Sequence, residues 1–353
     1  MEKILSIIIP TYNMEALLRH TLDSLIVSVD NMEKLEVLVV NDGSKDSSLA
    51  IAKEYEEKYP GTVRAIDKPN GNYGSCINRG LKEATGKYVK VLDADDSLDT
   101  GCLDVLIDKL LHTNVDTIIT DFVIVDVNDQ VTERSHYTMP EETEFTLSLI
   151  KKEELSYFWH HALIHKRESL INIDYHQTEG VSYSDDEWVF KPTSVAKNLL
   201  YIPMPLYRYL IGREGQTMSS ANFSKLCIGK FKVAESIKDF YKAYYPKVSV
   251  ENKLFMDAKL YERLRSLYNI FLRNHWTPQS NVMLAKFDED LKSFAPHLYY
   301  KLDELKLNII GYKYVKCWRN NGRKDSIVFK LIRFAKQYNF INKFKSANRP
   351  VIK

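Results

Sequence analysis

The chain has 353 residues, too many for one ordinary domain and enough for a large domain with a smaller companion. A hydrophobic share of 44% and a charged share of 27% are those of a folded chain with a sizeable core and exclude a low-complexity or disordered one. The net charge of +2 is unevenly spread: from Lys301 onward about fourteen Lys and Arg stand against Asp303, Glu304 and Asp325, so the end of the chain is strongly basic.

The first 125 residues alternate regularly. "ILSIIIP" is a continuous apolar run, as expected of a strand buried on both faces. Leu17, Leu18, Leu22, Leu25 and Ile26 then recur at helical spacing. "LEVLVVND" reads as a second buried strand and "SKDSSLAIAKEYEEKY" as a helix opened by capping-type residues. "TVRAID" is a third strand, and "GSCINRGLKEAT" a helix that Gly86 is placed to close as a C-cap. "KYVKVLD" is a fourth strand, with "VDTIITDFVIVD" another further on. Strands alternating with helices predict an α/β fold, Rossmann-like, with a mostly parallel central sheet and helices on both faces. Residues 140–220 read as mixed structure, and from about residue 222 the chain is helical, punctuated by Pro246, Pro278 and Pro296.

Ligands of such sheets sit at the carboxyl ends of the strands. Three of these ends are polar: Pro10-Thr11-Tyr12-Asn13, Asn41-Asp42-Gly43-Ser44 and Asp93-Ala94-Asp95-Asp96. Together they predict one rim. In the third, three carboxylates fall within four positions, where like charges repel. Helix capping, by Asp96 or Ser97 ahead of a helix starting near Asp99, explains one acid but not three. A divalent cation explains the set, because Mg²⁺ and Mn²⁺ take hard oxygen ligands and bridge carboxylates to phosphate oxygens. Asp42 is either part of a simple Asn-Asp-Gly turn or an acceptor for a nucleobase N–H. No G-x-G-x-x-G follows the first strand, and no G-x-x-x-x-G-K-[ST] occurs, which argues against a dinucleotide site and excludes a P-loop.

Taken in order, "SIIIPTYN", "VLVVNDGSKDSS", "NGNYGSCINRGLKEATGKYVKVLDADD" and "SDDEWVF" resemble the family 2 glycosyltransferases with the GT-A fold, over about residues 4–220. The resemblance implies inverting transfer of a sugar from a nucleotide-diphosphate donor, most often a UDP-sugar, to an acceptor hydroxyl, with Mn²⁺ or Mg²⁺ as cofactor. It places Pro10, Thr11 and Tyr12 at the uridine pocket, Asp42 at the base, and Asn72 and Arg79 beside the nucleotide. Asp93 and Ala94 fall near the ribose and cation. Asp95 matches the principal metal ligand, with Asp93 and Asp96 beside it.

An acceptor alcohol is a poor nucleophile and needs a general base within hydrogen-bond reach. "YSDDEWVF" supplies Asp185, Asp186 and Glu187 at a helix start. The family's acid pair in this place implies Asp186 as the base, with Asp185 as runner-up. Glu187 reads as a first-turn residue favoured by the helix dipole. By the same resemblance, Arg213, Gln216 and Ser219 reach toward the diphosphate from a loop whose Gly212 and Gly215 suit a mobile lid. "FWHHALIHK" matches an acceptor-side segment, with Trp159 either a sugar-stacking platform or a core residue, and His161 beside it. His160 and His161 depart from the Asn or Lys more usual there. They are not expected to be metal ligands, since adjacent residues seldom face one site.

The domain reading is therefore a GT-A catalytic domain over 1–220, with a nucleotide-binding half (1–125) and an acceptor-side half (126–220), and a helical C-terminal extension over 221–353. Its last helix, "SIVFKLIRFAKQYNFINKF", is basic and amphipathic, suited to an anionic membrane surface, to a second copy of the chain, or to docking on the catalytic domain. No helix-turn-helix, RRM or zinc-finger pattern accompanies the basic tail, so nucleic acid is not expected as a partner. The cysteines, Cys76, Cys102, Cys227 and Cys317, are scattered and read as free thiols. The N-terminal apolar run is too short for a signal peptide or span, and no run of about 18 apolar residues occurs elsewhere. The expected location is cytoplasmic, with peripheral contact at the inner membrane face left open. The acceptor is expected to be a glycan, glycoprotein or lipid-linked saccharide. Two rivals stand beside this reading. A sugar nucleotidyltransferase would carry a Gly-rich loop after the first strand, which "PTYNMEALLRH" lacks. A non-catalytic nucleotide-sugar-binding subunit would not need the acids of "SDDE".

Overall fold

The computed structural model describes residues 2–212, 223–274, 276–307 and 311–334. Arg213, Gly215, Gln216 and Ser219 lie outside the described residues, as does the end of the basic tail from 335. The strands are β1 (Leu5–Thr11), β2 (Leu35–Asn41), β3 (Val63–Asp67), β4 (Tyr88–Val91), β5 (Ser97–Leu98), β6 (Thr117–Val125), β7 (Val131–Ser135), β8 (Glu144–Phe145), β9 (Leu163–Lys166) and β10 (Leu199–Leu210). The helices of the first half are α1 (Leu18–Asp23), α2 (Val29–Met32), α3 (Ser48–Lys58), α4 (Asn72–Glu83), α5 (Thr100–Leu111), α6 (Arg167–Asn172) and α7 (Asp185–Thr193). Beyond them lie α8 (Phe223–Tyr244), α9 (Val250–Arg273), α10 (Pro278–Phe294), α11 (Pro296–Leu302) and α12 (Tyr314–Asn320).

The sheet runs in the order β3-β2-β1-β4-β9-β6-β10-β5, with β7 added on β6 and β8 on β10. Strands β1 to β4 pair in parallel, as do β6 and β10, while β9 lies antiparallel between β4 and β6. The mostly parallel sheet expected from the alternation is thus present. Its continuous apolar runs are explained by burial on both faces. Leu5, Ile7 and Ile9 of β1 enter one core with Val37 and Val39, whereas Ile8 enters the other with Leu38, Val40, Val89 and Val91. Each such side chain contributes roughly 1.5–3 kcal/mol when fully buried.

Gly86 does not cap α4, which ends at Glu83 with Ala84 donating to Gly80. Gly86 instead lets the chain pass close to β1. A Cβ there would lie 2.6 Å from the backbone nitrogen of Ser6, and its own N–H donates to Ser6 Oγ at 2.8 Å. Nor does Asp96 or Ser97 cap the next helix. Asp99 does, its carboxylate accepting from the N–H of Cys102 at 2.9 Å.

By its internal contacts the chain divides into two compact units, residues 1–259 and 260–353. The first takes in α8 and the start of α9. Asn252 donates to the carbonyls of Ser194 and Ala196, Lys259 to those of Ser156 and Phe158, and Phe255 enters the main core. The second is tied by Asp288, fully buried and paired with Arg319 at 2.6 Å and Arg323 at 2.8 Å. In its last described helical stretch, 327–334, Phe329 is buried while Ile327, Leu331 and Phe334 are exposed. Among the described residues no helix is long and apolar enough to cross a membrane. All four cysteines are free.

Helix α4 approaches residues 177–180 so closely that only a glycine fits at position 74, where a Cβ would fall 2.1 Å from the carbonyl oxygen of Thr178. Asn78 clasps the same segment, donating to the Gln177 carbonyl and accepting its N–H, both at 2.9 Å. Gly74→Ala is therefore expected to lower stability by about 2 kcal/mol in urea unfolding, as overpacking against backbone does. Gly101→Ala is the control. It meets only Asp99 Oδ1 at 3.5 Å and should be neutral or stabilising by up to about 1 kcal/mol.

Candidate functional site

The carboxyl ends of β1, β2 and β4 lie side by side in register, as β1 pairs with both neighbours. At the end of β2, Asp42 is buried. Its Oδ1 accepts from Lys68 Nζ at 2.5 Å and the Gly71 N–H at 2.9 Å, and its Oδ2 from the N–H of Asn72 at 2.9 Å. Three donors leave a carboxylate capacity for one more. Asn72 opens α4 in the left-handed region, φ 66°, which aims its N–H at Asp42. At the end of β1, Thr11 is buried with its hydroxyl on the Ile9 carbonyl, and Tyr12 is 46% exposed beside it. Arg79 is paired with Glu83 one turn along α4, at 3.0 Å.

The end of β4 holds the acid cluster. Ligand oxygens of Asp93, Asp95 and Asp96 all lie within 4.8 Å of one another. Asp96 is almost fully buried. Tyr207 of β10 donates to its Oδ2 at 2.6 Å and the Leu210 N–H to its Oδ1 at 2.8 Å. Burial and the charges of Asp93 and Asp95 push its carboxyl well above the usual range. Asp93 moves the other way. Burial opposes its charge, but hydrogen bonds from His160 and Tyr73 and the charges of His160 and Lys90 hold it below the usual range. Tyr73 Oη donates to Asp93 Oδ1 at 2.9 Å, and the Asp93 N–H donates to Tyr207 Oη at 3.2 Å. The carbonyl of Ala94 accepts from Thr21 Oγ1 at 3.0 Å, fixing the turn between the acids. Oxygen donors in this number suit a hard divalent cation, as the sequence suggested.

His160 ties this cluster to the second acid site. Its Nε2 is 3.4 Å from Asp93 Oδ2 and its Nδ1 3.6 Å from Asp185 Oδ2. Burial disfavours its charge, but the hydrogen bond and charge of Asp93 and the charge of Asp185 outweigh that and raise its pKa. His161 faces the same way. The two rings are 3.8 Å apart, and donor atoms of both come within 4.8 Å of Asp93. The expectation that adjacent histidines diverge fails because residues 160–162 form one tight 3₁₀ turn. Burial, with the charges of His160 and Lys90, pushes His161 well below the usual histidine value, so it is neutral.

Asp185 and Asp186 occupy the first turn of α7, both partly exposed. Glu187 next to them is wholly buried. It accepts from the Thr178 N–H at 2.8 Å, Ser236 Oγ at 2.6 Å and Lys191 Nζ at 2.7 Å. Its role is anchorage of the helix. Trp159 is 53% exposed, so the core alternative for it does not hold.

Sequence reasoning passed over Tyr73, Tyr207 and Lys90. Lys90 was visible as a lysine in an otherwise apolar strand. It is fully buried, donates to the His161 carbonyl at 2.7 Å and lies 5.2 Å over the Tyr207 ring.

The profile of the family described as "Glycosyl transferase family 2" matches residues 6–174. An uncharacterized glycosyltransferase of Mycoplasma pneumoniae, the MG060 homolog, is 30% identical over 226 residues, 61% of this chain and 71% of that protein. The minor teichoic acid biosynthesis protein GgaB of Bacillus subtilis is 39% identical over 99 residues, 28% of this chain; the match spans only 11% of that longer protein. Among solved structures, S. aureus TarS 1–349 superposes with a TM-score of 0.61 at 20% identity, covering 84% of this chain and 82% of that one. The same fragment in complex with UDP-GlcNAc gives 0.56 over 90% and 92%. The α/β architecture is thus the GT-A fold, and the chain belongs to glycosyl transferase family 2.

Lys90 generates a prediction. Burial lowers its pKa to about 7 from 10.5, only partly offset by Asp93. Between those values the folded chain binds fewer protons than the unfolded one, so its stability rises with pH across that window, and the burial penalty is full below about 7. Urea unfolding from pH 7 to 10.5 should show this rise in the wild type and not in Lys90→Met. Equal slopes in both would remove Lys90 as its source.

Proposed function

We propose that this chain transfers a sugar from a nucleotide-diphosphate donor, a UDP-sugar, to an acceptor hydroxyl with inversion. The observation that carries the proposal is His160, placed between the Asp93 cluster and Asp185, so that a cation-ready carboxylate site and an acid pair share one rim. The complex of S. aureus TarS with UDP-GlcNAc supports a uridine donor by analogy of fold. Asp42, with Pro10, Thr11, Tyr12 and Asn72, is the proposed nucleotide wall. Trp159 and His161 are the proposed acceptor side, and residues 1–220 the proposed catalytic part.

Asp95, with Asp93, is the proposed holder of Mn²⁺ or Mg²⁺; Asp96 has both oxygens already engaged by Tyr207 and Leu210 and serves better as support. A bound cation supplies Lewis-acid stabilisation of negative charge on a diphosphate. Asp186 accepts the proton of the acceptor hydroxyl. The acceptor oxygen forms its bond to the anomeric carbon as the bond from that carbon to the diphosphate oxygen breaks, and the nucleoside diphosphate leaves with the electron pair. His160 holds Asp93 and Asp185 in place through this step, and Lys90 holds the turn that carries His160 by its bond to the His161 carbonyl. The four free thiols support a reducing, cytoplasmic setting.

A screen of UDP- and other nucleotide-sugars for Mn²⁺-dependent thermal stabilisation and hydrolysis tests the reading, since a ligand of the folded state raises its stability. One donor should stabilise the wild type. Asp186→Asn should keep donor binding and lose transfer by at least about a hundredfold, the usual worth of a general base. Asp95→Ala should lose the Mn²⁺-dependent part of donor binding. No stabilisation by any nucleotide-sugar, or transfer unchanged in Asp186→Asn, counts against the assignment.

A further inference from the structure

The last described helical stretch, 327–334, is fastened to its own unit by one side. Phe329 is buried, its ring 6.4 Å from that of Tyr312. Arg333 donates to both oxygens of Asp325 at 2.7 Å and to the Leu272 carbonyl at 3.0 Å. Its guanidinium lies 5.5 Å over the Trp276 ring. These contacts all fall within the second unit and fix the roll of the helix about its axis.

The face turned outward is apolar. At about 100° per residue, Ile327, Leu331 and Phe334 fall within an arc of about 60°, with Phe329 on the opposite side. They are 74%, 61% and 67% exposed, and Lys330, also exposed, borders them. Exposed apolar side chains scattered singly are ordinary, whereas three large ones side by side mark a contact surface.

The surrounding charge says what that surface meets. Residues 260–353 hold nineteen Lys and Arg against seven Asp and Glu, and residues 326–353 hold seven Lys and Arg with no acid. The nearest acid in sequence, Asp325, is closed off by Arg333. A second copy laid face to face across a two-fold axis would set this uncompensated positive charge against itself. A bilayer with anionic headgroups offers what both features need: phosphates for the lysines and an acyl boundary for the apolar side chains.

We propose that the 327–334 face is a reversible docking surface for an anionic phospholipid bilayer, with Ile327, Leu331 and Phe334 entering the headgroup boundary and Lys330 and the basic tail sequence drawn to lipid phosphates. Apolar insertion and basic charge are each a weak anchor, and together they give binding that salt loosens. The inference stands on this helix and does not depend on the transferase reading.

The test is co-sedimentation of the whole chain with vesicles of phosphatidylcholine alone and of phosphatidylcholine with an equal part of phosphatidylglycerol, alongside analytical ultracentrifugation without lipid. The wild type should bind the mixed vesicles about tenfold or more tightly than pure phosphatidylcholine, and lose most of that binding as NaCl rises from about 0.1 M to about 0.5 M. Leu331→Ser combined with Phe334→Ser, and separately Lys330→Glu, should weaken binding roughly tenfold for the pair and several-fold for the single change. Thermal unfolding should stay at the wild-type temperature in both, because these side chains are exposed. Ile171→Ser, at a single exposed apolar residue of α6, should bind as the wild type does. No binding to the mixed vesicles, equal binding to both vesicle types, or binding unchanged in both helix variants overturns the proposal. So does a wild-type dimer that Leu331→Ser with Phe334→Ser abolishes, which would assign the face to a second copy.

Discussion

Three carboxylates held within 4.8 Å of one another, partly or wholly out of water, repel strongly, and the surrounding structure is arranged to contain that repulsion. The containment is unequal. Asp96 is sealed behind Tyr207 and the Leu210 N–H, in an environment that favours its neutral form. Asp93 is surrounded by Tyr73, His160 and Lys90, which favour its charge. Neighbouring acids are thereby pushed toward opposite protonation states.

The compensating groups come from separate parts of the chain. Lys90 is on β4 itself, Tyr73 on α4, Tyr207 on β10 and His160 on the turn before β9. Because β9 is antiparallel between β4 and β6, the turn that precedes it arrives at the same end of the sheet where β4 finishes. That single reversed strand delivers His160 to Asp93. Lys90 then pins the turn from below by its bond to the His161 carbonyl, so one buried amine is both a neighbour of Asp93 and a fixing point for the backbone.

Much of this was legible in the sequence and some was not. The apolar runs of β1, β2 and β4 and the polar residues just after them locate the rim, because a strand buried on both faces has no other place for polar groups. The fate of Asp96 was not legible. Its partners Tyr207 and Leu210 lie 111 and 114 residues away and nothing local announces them. The helix cap was misplaced for a related reason: Asp96 and Asp99 have the same capping chemistry, and only the backbone path decides which one stands at the helix start. Gly86 was read as a cap from its place after a helix, whereas its real constraint is the neighbouring β1 backbone. Trp159 was legible only as an aromatic residue with two possible uses, since its exposure depends on what the hairpin of β6 and β7 leaves uncovered.

The orientation of the acid pair Asp185 and Asp186 follows from the burial of their neighbour Glu187. Successive residues of a helix turn by about 100°. Glu187 is drawn inward by Lys191, Thr178 and Ser236, so Asp186 stands about 100° and Asp185 about 200° around the axis from a buried side chain. Asp185 is thereby directed away from the core of its own helix, where it meets His160, and Asp186 is set between the two directions with part of its surface open. Of the two, Asp185 has His160 beside it, at 3.6 Å. The burial of Glu187 one residue further on thus sets where both acids of the pair stand, with Asp185 facing His160.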